Sequence, residues 1–329
     1  MAPGVPAARL DYDVAMNPAA PAPASGDEIA DCVVVGGGPA GLTAAHYLHR
    51  FRRRVVIVDA GDSRASRIPR SHNAPGFPGG VRGPALLSRM RRQLASCGAS
   101  VTSAAVSSIR DAGDRFVVDV GDAPLETRAV IVATGVRDVE PAVPGVDKVR
   151  RRHLLRQCPI CDAFEFREQR VAVIGEGVHG AREALFLRHY SAQVTLFRLA
   201  SGRAIPDDAV AQLDARGVGV VASPVTAMAL AGRGVAIATD DGEHEAEVVY
   251  AALGVVPNTS LATGLGAEVD GAGNIVIDAH CRTSIPGLYA AGDVVVGLDQ
   301  IAVAVGHAAI AATAVHNDLR SGALPKRPR

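Results

Sequence analysis

The chain has 329 residues, with 34 basic and 34 acidic side chains and a formal net charge of zero; that balance gives no field favouring nucleic acid or an acidic membrane as a partner. The length admits two domains with separate cores, and no apolar run is long enough to span a bilayer. Five cysteines, only two of them at a meaningful spacing, do not make a disulfide framework, so a reducing, cytoplasmic setting is expected.

Residues 1–29 are rich in Ala and Pro and lack a basic start followed by an apolar core, so they read as a disordered tail and not as a secretory signal. Asp31–Val35 is a short apolar run ending in glycines, the pattern of a buried parallel strand. Pro39–Arg50 has helical spacing and Arg54–Asp59 is a second strand. Together they form a βαβ unit carrying Gly36-x-Gly38-x-x-Gly41, with Asp59 lying 23 residues after Gly36. Gly36 permits the tight turn, Gly38 lets a pyrophosphate approach the backbone, and Gly41 lets the helix pack on the strand. Pro39 and Ala40 open the helix whose N-terminus faces the phosphates, and Asp59 accepts ribose hydroxyls in such a unit.

Arg115–Val120 and Ala129–Ala133 read as strands, the second running into Thr134-Gly135. Cys158-Pro159-Ile160-Cys161 comes next. Pro159 suits the first position of a short helix, which places Cys158 at its cap, and the positive helix end favours a thiolate. Alone, such a pair is equally half a zinc site or two inert buried thiols. No second Cys pair or paired His stands at finger-like spacing, and the position between two dinucleotide fingerprints points to a redox dithiol. The second fingerprint follows: Arg170–Ile174 leads into Gly175-x-Gly177-x-x-Gly180, a helix from about Ala181 to Tyr190, and a strand at Val194–Phe197. Two such units suggest one flavin and one nicotinamide site. Near the end, Gly287–Ala291 is a strand closing at Gly292-Asp293, an Ala-rich helix runs from about Gln300 to Leu319, and the last ten residues are polar and frayed. Cys32, Cys97 and Cys281 read as structural.

The ordered set of these motifs, with His72-Asn73-Ala74-Pro75-Gly76-Phe77-Pro78, Ala133-Thr134-Gly135, Asp162 beside the Cys pair, Gly254-Val255-Val256-Pro257-Asn258 and Ala291-Gly292-Asp293, resembles the low-molecular-weight thioredoxin reductases over about Asp31–Leu319. The resemblance implies an α/β fold of two Rossmann-like dinucleotide-binding domains, the nicotinamide domain inserted into a discontinuous FAD domain. The FAD domain would be 30–138 plus 268–320, and the NAD(P)H domain, carrying the dithiol, 139–267. FAD, with NADPH or NADH, would be the cofactors, thioredoxin or a small disulfide the partner, and the assembly a homodimer. Gly36, Gly38, Gly41 and Asp59 would hold the adenosine diphosphate half of FAD, with Ala133 and Gly135 at the same site. Asn73 would approach the flavin, Gly292 and Asp293 the ribityl chain, and Gln300 and Ile301 the isoalloxazine. Plainer roles are a helix cap for Asp293 and a turn for Asn73. Cys161 would face the flavin, Cys158 would exchange with substrate, and Asp162 would be the general acid, its alternative being an acidic side chain favoured by the helix dipole.

Gly175, Gly177, His179, Gly180, Arg198 and Arg203 would form the nicotinamide site, and here the chain departs from the family. Leu199 and Ala200 break the basic cluster that grips a 2′-phosphate, which weakens the choice of NADPH over NADH. His179 replaces a small residue, either hindering the nicotinamide path or capping the helix. Two directions of electron flow stay open: a reductase using NAD(P)H, and an FAD-dependent dithiol oxidase that forms a disulfide in a small molecule with oxygen as acceptor. A nucleotide-binding regulatory protein with little turnover is a third reading.

Overall fold

The computed structural model describes residues 29–121 and 123–324; the expected N-terminal tail, but for Ile29, and the last five residues lie outside them. Strand Ala30–Val35 lies at the middle of a seven-stranded sheet. It pairs in parallel with Val55–Asp59 on one side and Ala123–Val132 on the other. All six of its residues are buried, as expected of a strand covered on both faces. The sheet is completed from the far end of the sequence: Leu288–Ala290 pairs in parallel with Ala123–Val132, Tyr289 opposite Ile131. Strand 123–132 begins well before the expected Ala129, because its first half pairs antiparallel with Phe116–Val120.

A second sheet is built from the intervening chain, in the order Gly219–Val221, Val194–Phe197, Val171–Gly175, Val248–Ala252, Leu155–Arg156, all parallel. Its fingerprint helix spans Gly177–Leu187 and starts four residues before the expected Ala181, the glycines themselves forming the first turn. An antiparallel meander over Val225–Ala231, Gly234–Thr239 and Gly242–Ala246 packs beside it. The fold is thus α/β with two Rossmann-like units, the second lying in sequence between two parts of the first. The crossing points form a ribbon, Val136–Asp138 antiparallel to Val255–Pro257. Thr134 Oγ donates to the Asn258 carbonyl at 2.7 Å and Asn258 Nδ2 to the Thr134 carbonyl at 2.9 Å, locking its base.

Two constraints fix the site. Helix Ile301–Ser321 lies on helix Pro39–Arg50 through Ala304, Ala308, Ala311 and Ala312 against Leu42, Ala44, Ala45 and Leu48, small side chains that permit close approach. Its far end is held by Asp318, which accepts from the Tyr289 hydroxyl and from two nitrogens of Arg282, each at 2.8 Å. At the first turn Gly36 has φ +110°, and a methyl group on Gly41 would sit 1.8 Å from the Gly36 carbonyl oxygen. Gly41→Ala is therefore expected to cost about 1–3 kcal/mol by overpacking and to lower flavin retention, read by thermal denaturation and the flavin-to-protein absorbance ratio. Gly79→Ala, where the added methyl meets nothing within 4 Å, is the control and is expected to stay within about 0.5 kcal/mol.

Candidate active site

The parallel strands Ala30–Val35, Val55–Asp59 and Ala123–Val132 end at a cavity of about 520 Å³, the position where open α/β sheets bind ligands. It is lined by Gly36, Gly38, Pro39, Ala40 and Asp59 at one end and by Ala133 and Gly135 along its wall. Gly292, Asp293, Gln300, Ile301 and Asn73 line it further on, with Cys158, Cys161 and Asp162 at the other end. Gly41 lies in the helix behind, buried and closing the turn. The Asp59 carboxylate accepts the Gly37 N–H at 3.0 Å and pairs with Arg91 at 3.0 Å.

Pro159 opens the short helix Pro159–Asp162, Cys158 is its N-cap with extended backbone, and Cys158 and Cys161 are joined as a disulfide. The disulfide meets the first unit through Gln300, the residue capping the long helix. The Gln300 amide nitrogen lies 3.5 Å from the Cys158 sulfur and 3.6 Å from that of Cys161. Its orientation is set by Asn73, whose Nδ2 donates to Gln300 Oε1 at 2.9 Å and also reaches the Ile160 carbonyl at 3.4 Å. Buried Ser71 in turn donates to Asn73 Oδ1 at 2.9 Å. A chain of fixed amides thus runs from the first sheet's loops to the disulfide.

Two clusters of acidic and basic side chains flank this contact, and sequence reasoning missed most of their members. Beside the disulfide, Asp162 accepts from the Tyr250 hydroxyl at 2.7 Å and pairs with Arg156 at 3.2 Å. Arg156 is stacked over Phe166. Burial pushes the Asp162 carboxyl above its ordinary range, while Arg156 and Tyr250 pull it back. Burial and the adjoining carboxylate push the Tyr250 hydroxyl up, so it remains a donor. His72 stands 3.7 Å from Glu165 across the same seam. Within the groove, Arg64 reaches Asp138 at 2.6 Å, Asp293 at 3.1 Å and Asp299 at 3.4 Å. Burial, with Asp293 as a like-charged neighbour, pushes Asp299 up to about 6 against the pull of Arg64.

The second fingerprint lies apart from this cavity. Gly175 ends its strand and Gly180 packs against it. The Nε2 of His179 lies 3.2 Å from Glu183 one turn along the helix, and that partner raises its pKa. Arg198 Nη1 donates to the Ala222 carbonyl at 3.2 Å. The Gly177 N–H donates to the Arg203 carbonyl at 3.1 Å.

Residues 30–308 match the pyridine nucleotide-disulphide oxidoreductase family. The chain belongs to that family. It is similar to the F component of the alkyl hydroperoxide reductase of Pseudomonas putida, 33% identical over 91% of this chain, which spans 60% of that relative's length. It is 28% identical to the thioredoxin reductase of Peptoclostridium acidaminophilum, over 87% of this chain and 96% of that one. The crystal structure of thioredoxin reductase from Streptococcus pyogenes superposes with a TM-score of 0.82 at 30% identity, covering 89% of this chain and 99% of that one. The resemblance to low-molecular-weight thioredoxin reductases therefore holds, and with it an oxidoreductase whose cofactors are FAD and a pyridine nucleotide. No helix among the described residues is long and apolar enough to cross a membrane.

The groove fits a flavin dinucleotide on its own geometry. It is elongated, opens on the first-turn amides of a 12-residue helix, and has a carboxylate at the strand end for a ribose. Within it, three carboxylates gather around the guanidinium of Arg64, a local excess of negative charge that opposes an anionic ligand beside them. Asp299 is neutral below about pH 6 and ionised above it, so FAD affinity of the apoprotein is expected to fall several-fold as pH rises through 6. Asp299→Asn is expected to abolish that slope and to bind at least as tightly as the parent at pH 8, measured by FAD fluorescence titration.

Proposed function

We propose that this chain is a thioredoxin reductase-like disulfide oxidoreductase that passes electrons from NAD(P)H, by way of FAD, to Cys158–Cys161 and on to thioredoxin or a small disulfide. The observation that carries the reading is that the disulfide lines the cavity that begins at the Gly36 fingerprint. In this reading Gly36, Gly38, Gly41 and Asp59 hold the adenosine diphosphate half of FAD. Asp293 takes the ribityl chain, and Gln300 and Ile301 flank the ring. Bound FAD supplies a two-electron carrier; the thiol chemistry belongs to the chain.

Reducing the disulfide consumes two electrons and two protons and leaves two thiols. The Cys158 thiolate then attacks a substrate disulfide, forming a mixed disulfide and expelling one thiolate. Cys161 attacks the Cys158 sulfur, restoring the internal disulfide and releasing the second. Asp162, adjacent to Cys161 and with its carboxyl raised by burial, holds the proton that a departing thiolate needs. Ile160 and Phe164, 49% and 62% exposed, give the pair an apolar rim suited to a protein partner. We assign 30–138 with 268–320 to FAD and 139–267 to the pyridine nucleotide and dithiol. The separation of the Gly175 fingerprint from the cavity supports a turn of the inserted unit about the 136–138 and 255–257 ribbon to present each site. The resemblance supports a homodimer, and the sparse cysteines a cytoplasmic setting.

One observation favours the reverse direction as a second reading: the Gly177 N–H, which a pyrophosphate would use, is taken by Arg203. There a small dithiol would reduce the Cys pair and oxygen would take both electrons, giving hydrogen peroxide. Anaerobic mixing with NADH or NADPH separates the two. Rapid bleaching of the flavin band is expected; no bleaching, with bleaching by a dithiol and recovery in air, would establish the oxidase. Cys161→Ser is expected to retain FAD and lose disulfide turnover by about a thousandfold or more.

Because Asp162 must be protonated to act as an acid, turnover falls as pH rises through its pKa. Tyr250→Phe removes a hydrogen bond that favours the carboxylate, so the alkaline limb of the kcat profile should move to higher pH. An unmoved limb would remove Asp162 from the proton path.

A further inference from the structure

The two fingerprints differ in where they carry charge. In the first, strand register sets Val34 opposite Ile57 and Val35 opposite Val58, so Gly36 leads to the level of Asp59. The Asp59 carboxylate folds back over the loop, and a methyl group on Gly37 would lie 2.3 Å from its Oδ2. In the second, Val173 stands opposite Leu196 and Ile174 opposite Phe197. Gly175 therefore corresponds to Gly36, Glu176 to Gly37, and Arg198 to Asp59. The carboxylate has moved from the strand end to the loop. The strand end now carries a guanidinium held by the Ala222 carbonyl, and the loop carries the carboxylate.

Glu176 reaches from the loop to the backbone after the second strand. Its Oε2 is 3.4 Å from the Arg203 N–H, and a methyl group on Gly202 would lie 3.1–3.2 Å from its Cγ, Cδ and Oε1. It therefore stands against the 199–203 segment, the stretch after the second strand that meets the adenosine ribose in such units. The Gly177 N–H is taken, and the Gly180 N–H donates to the Glu176 carbonyl. The first-turn amides of Val178 and His179 are left for a pyrophosphate.

We infer that Glu176 makes this site select a dinucleotide whose adenosine ribose carries free 2′- and 3′-hydroxyls, NADH, and reject the 2′-phosphate of NADPH. A carboxylate accepts hydrogen bonds from both hydroxyls of a diol, whereas a phosphate in the same place brings two anions together. Arg198 gives its Nη1 to the Ala222 carbonyl, and Leu199 and Ala200 add no further cation between it and Arg203. The inference rests on the Gly175–Gly180 loop being the nicotinamide site.

The test is calorimetric titration of the oxidised, FAD-loaded protein with NAD⁺ and with NADP⁺, neither of which reduces the flavin. NAD⁺ is expected to bind about tenfold tighter or more, and added salt should narrow the gap by screening. Glu176→Gln should bring the two within about threefold, mainly by tightening NADP⁺, and Glu176→Asp should keep the parent preference. Flavin absorbance checks that each variant is folded. Equal binding, preference for NADP⁺, or a ratio unmoved in Glu176→Gln overturns the role of Glu176 and leaves the nicotinamide site standing. Binding of neither nucleotide, while a dithiol still bleaches the flavin, overturns the site reading itself.

Discussion

The contact of the Gln300 amide with both sulfurs of Cys158–Cys161 is the point at which the two halves of this molecule become one site. Gln300 caps the helix that lies on the first fingerprint helix, so its position is inherited from the core of the first sheet. The disulfide belongs to the second unit, on the short helix that follows strand Leu155–Arg156. Asn73 holds the amide from a third direction and touches the Ile160 carbonyl as well. An amide so fixed offers a donor to whichever sulfur carries negative charge. That is a preorganised dipole in the sense that matters for a thiolate leaving group.

The contact is polar and small, which suits a joint that opens. The seam holds the Gln300 and Asn73 amides and the His72–Glu165 pair, all partly exposed. Surface ion pairs and neutral hydrogen bonds of this kind contribute about 1 kcal/mol each or less. The cores on either side of the ribbon are separate apolar clusters, and those would not be disturbed by a rotation about it. Arg64 adds a tether of another kind, linking the ribbon residue Asp138 to Asp293 and Asp299 in the groove.

Motifs that are contiguous in sequence were legible from it. The strand–glycine–helix signatures, the N-cap position of Cys158, and the run of strand and helix from Leu288 to Leu319 follow from local pattern and turn chemistry, and they suffice for the family and the two Rossmann-like units. What escaped was assembled by topology. Tyr250 meets Asp162 across 88 residues, because strand Val248–Ala252 pairs with Leu155–Arg156. A buried tyrosine in an apolar strand carries no signal of its partner. Arg64, Asp138, and the Asp293 and Asp299 of one loop converge from three separate segments, and only Asp293 had a motif around it. The meander over residues 225–246 was missed because its short, Ala-rich alternation is weak. Glu176 was in plain sight inside a fingerprint, but reading that motif for its glycines hides what the intervening positions carry.

The two loops differ by a more general asymmetry. In a glycine-rich loop the glycines fix where the backbone runs, and they are common to both halves of this chain. The residues between them decide which charge faces the nucleotide. In the first half the loop is bare, and the carboxylate arrives from the strand, where the N–H of Gly37 satisfies it. In the second the carboxylate arrives from the loop and finds the N–H of Arg203 instead. With the charge moved to the loop, the strand end carries Arg198, whose Nη1 donates to the Ala222 carbonyl while its Nε has no partner among the described residues. Selectivity at the second site thus follows from which backbone amide answers the acid, a choice made by one side chain within an unchanged fold.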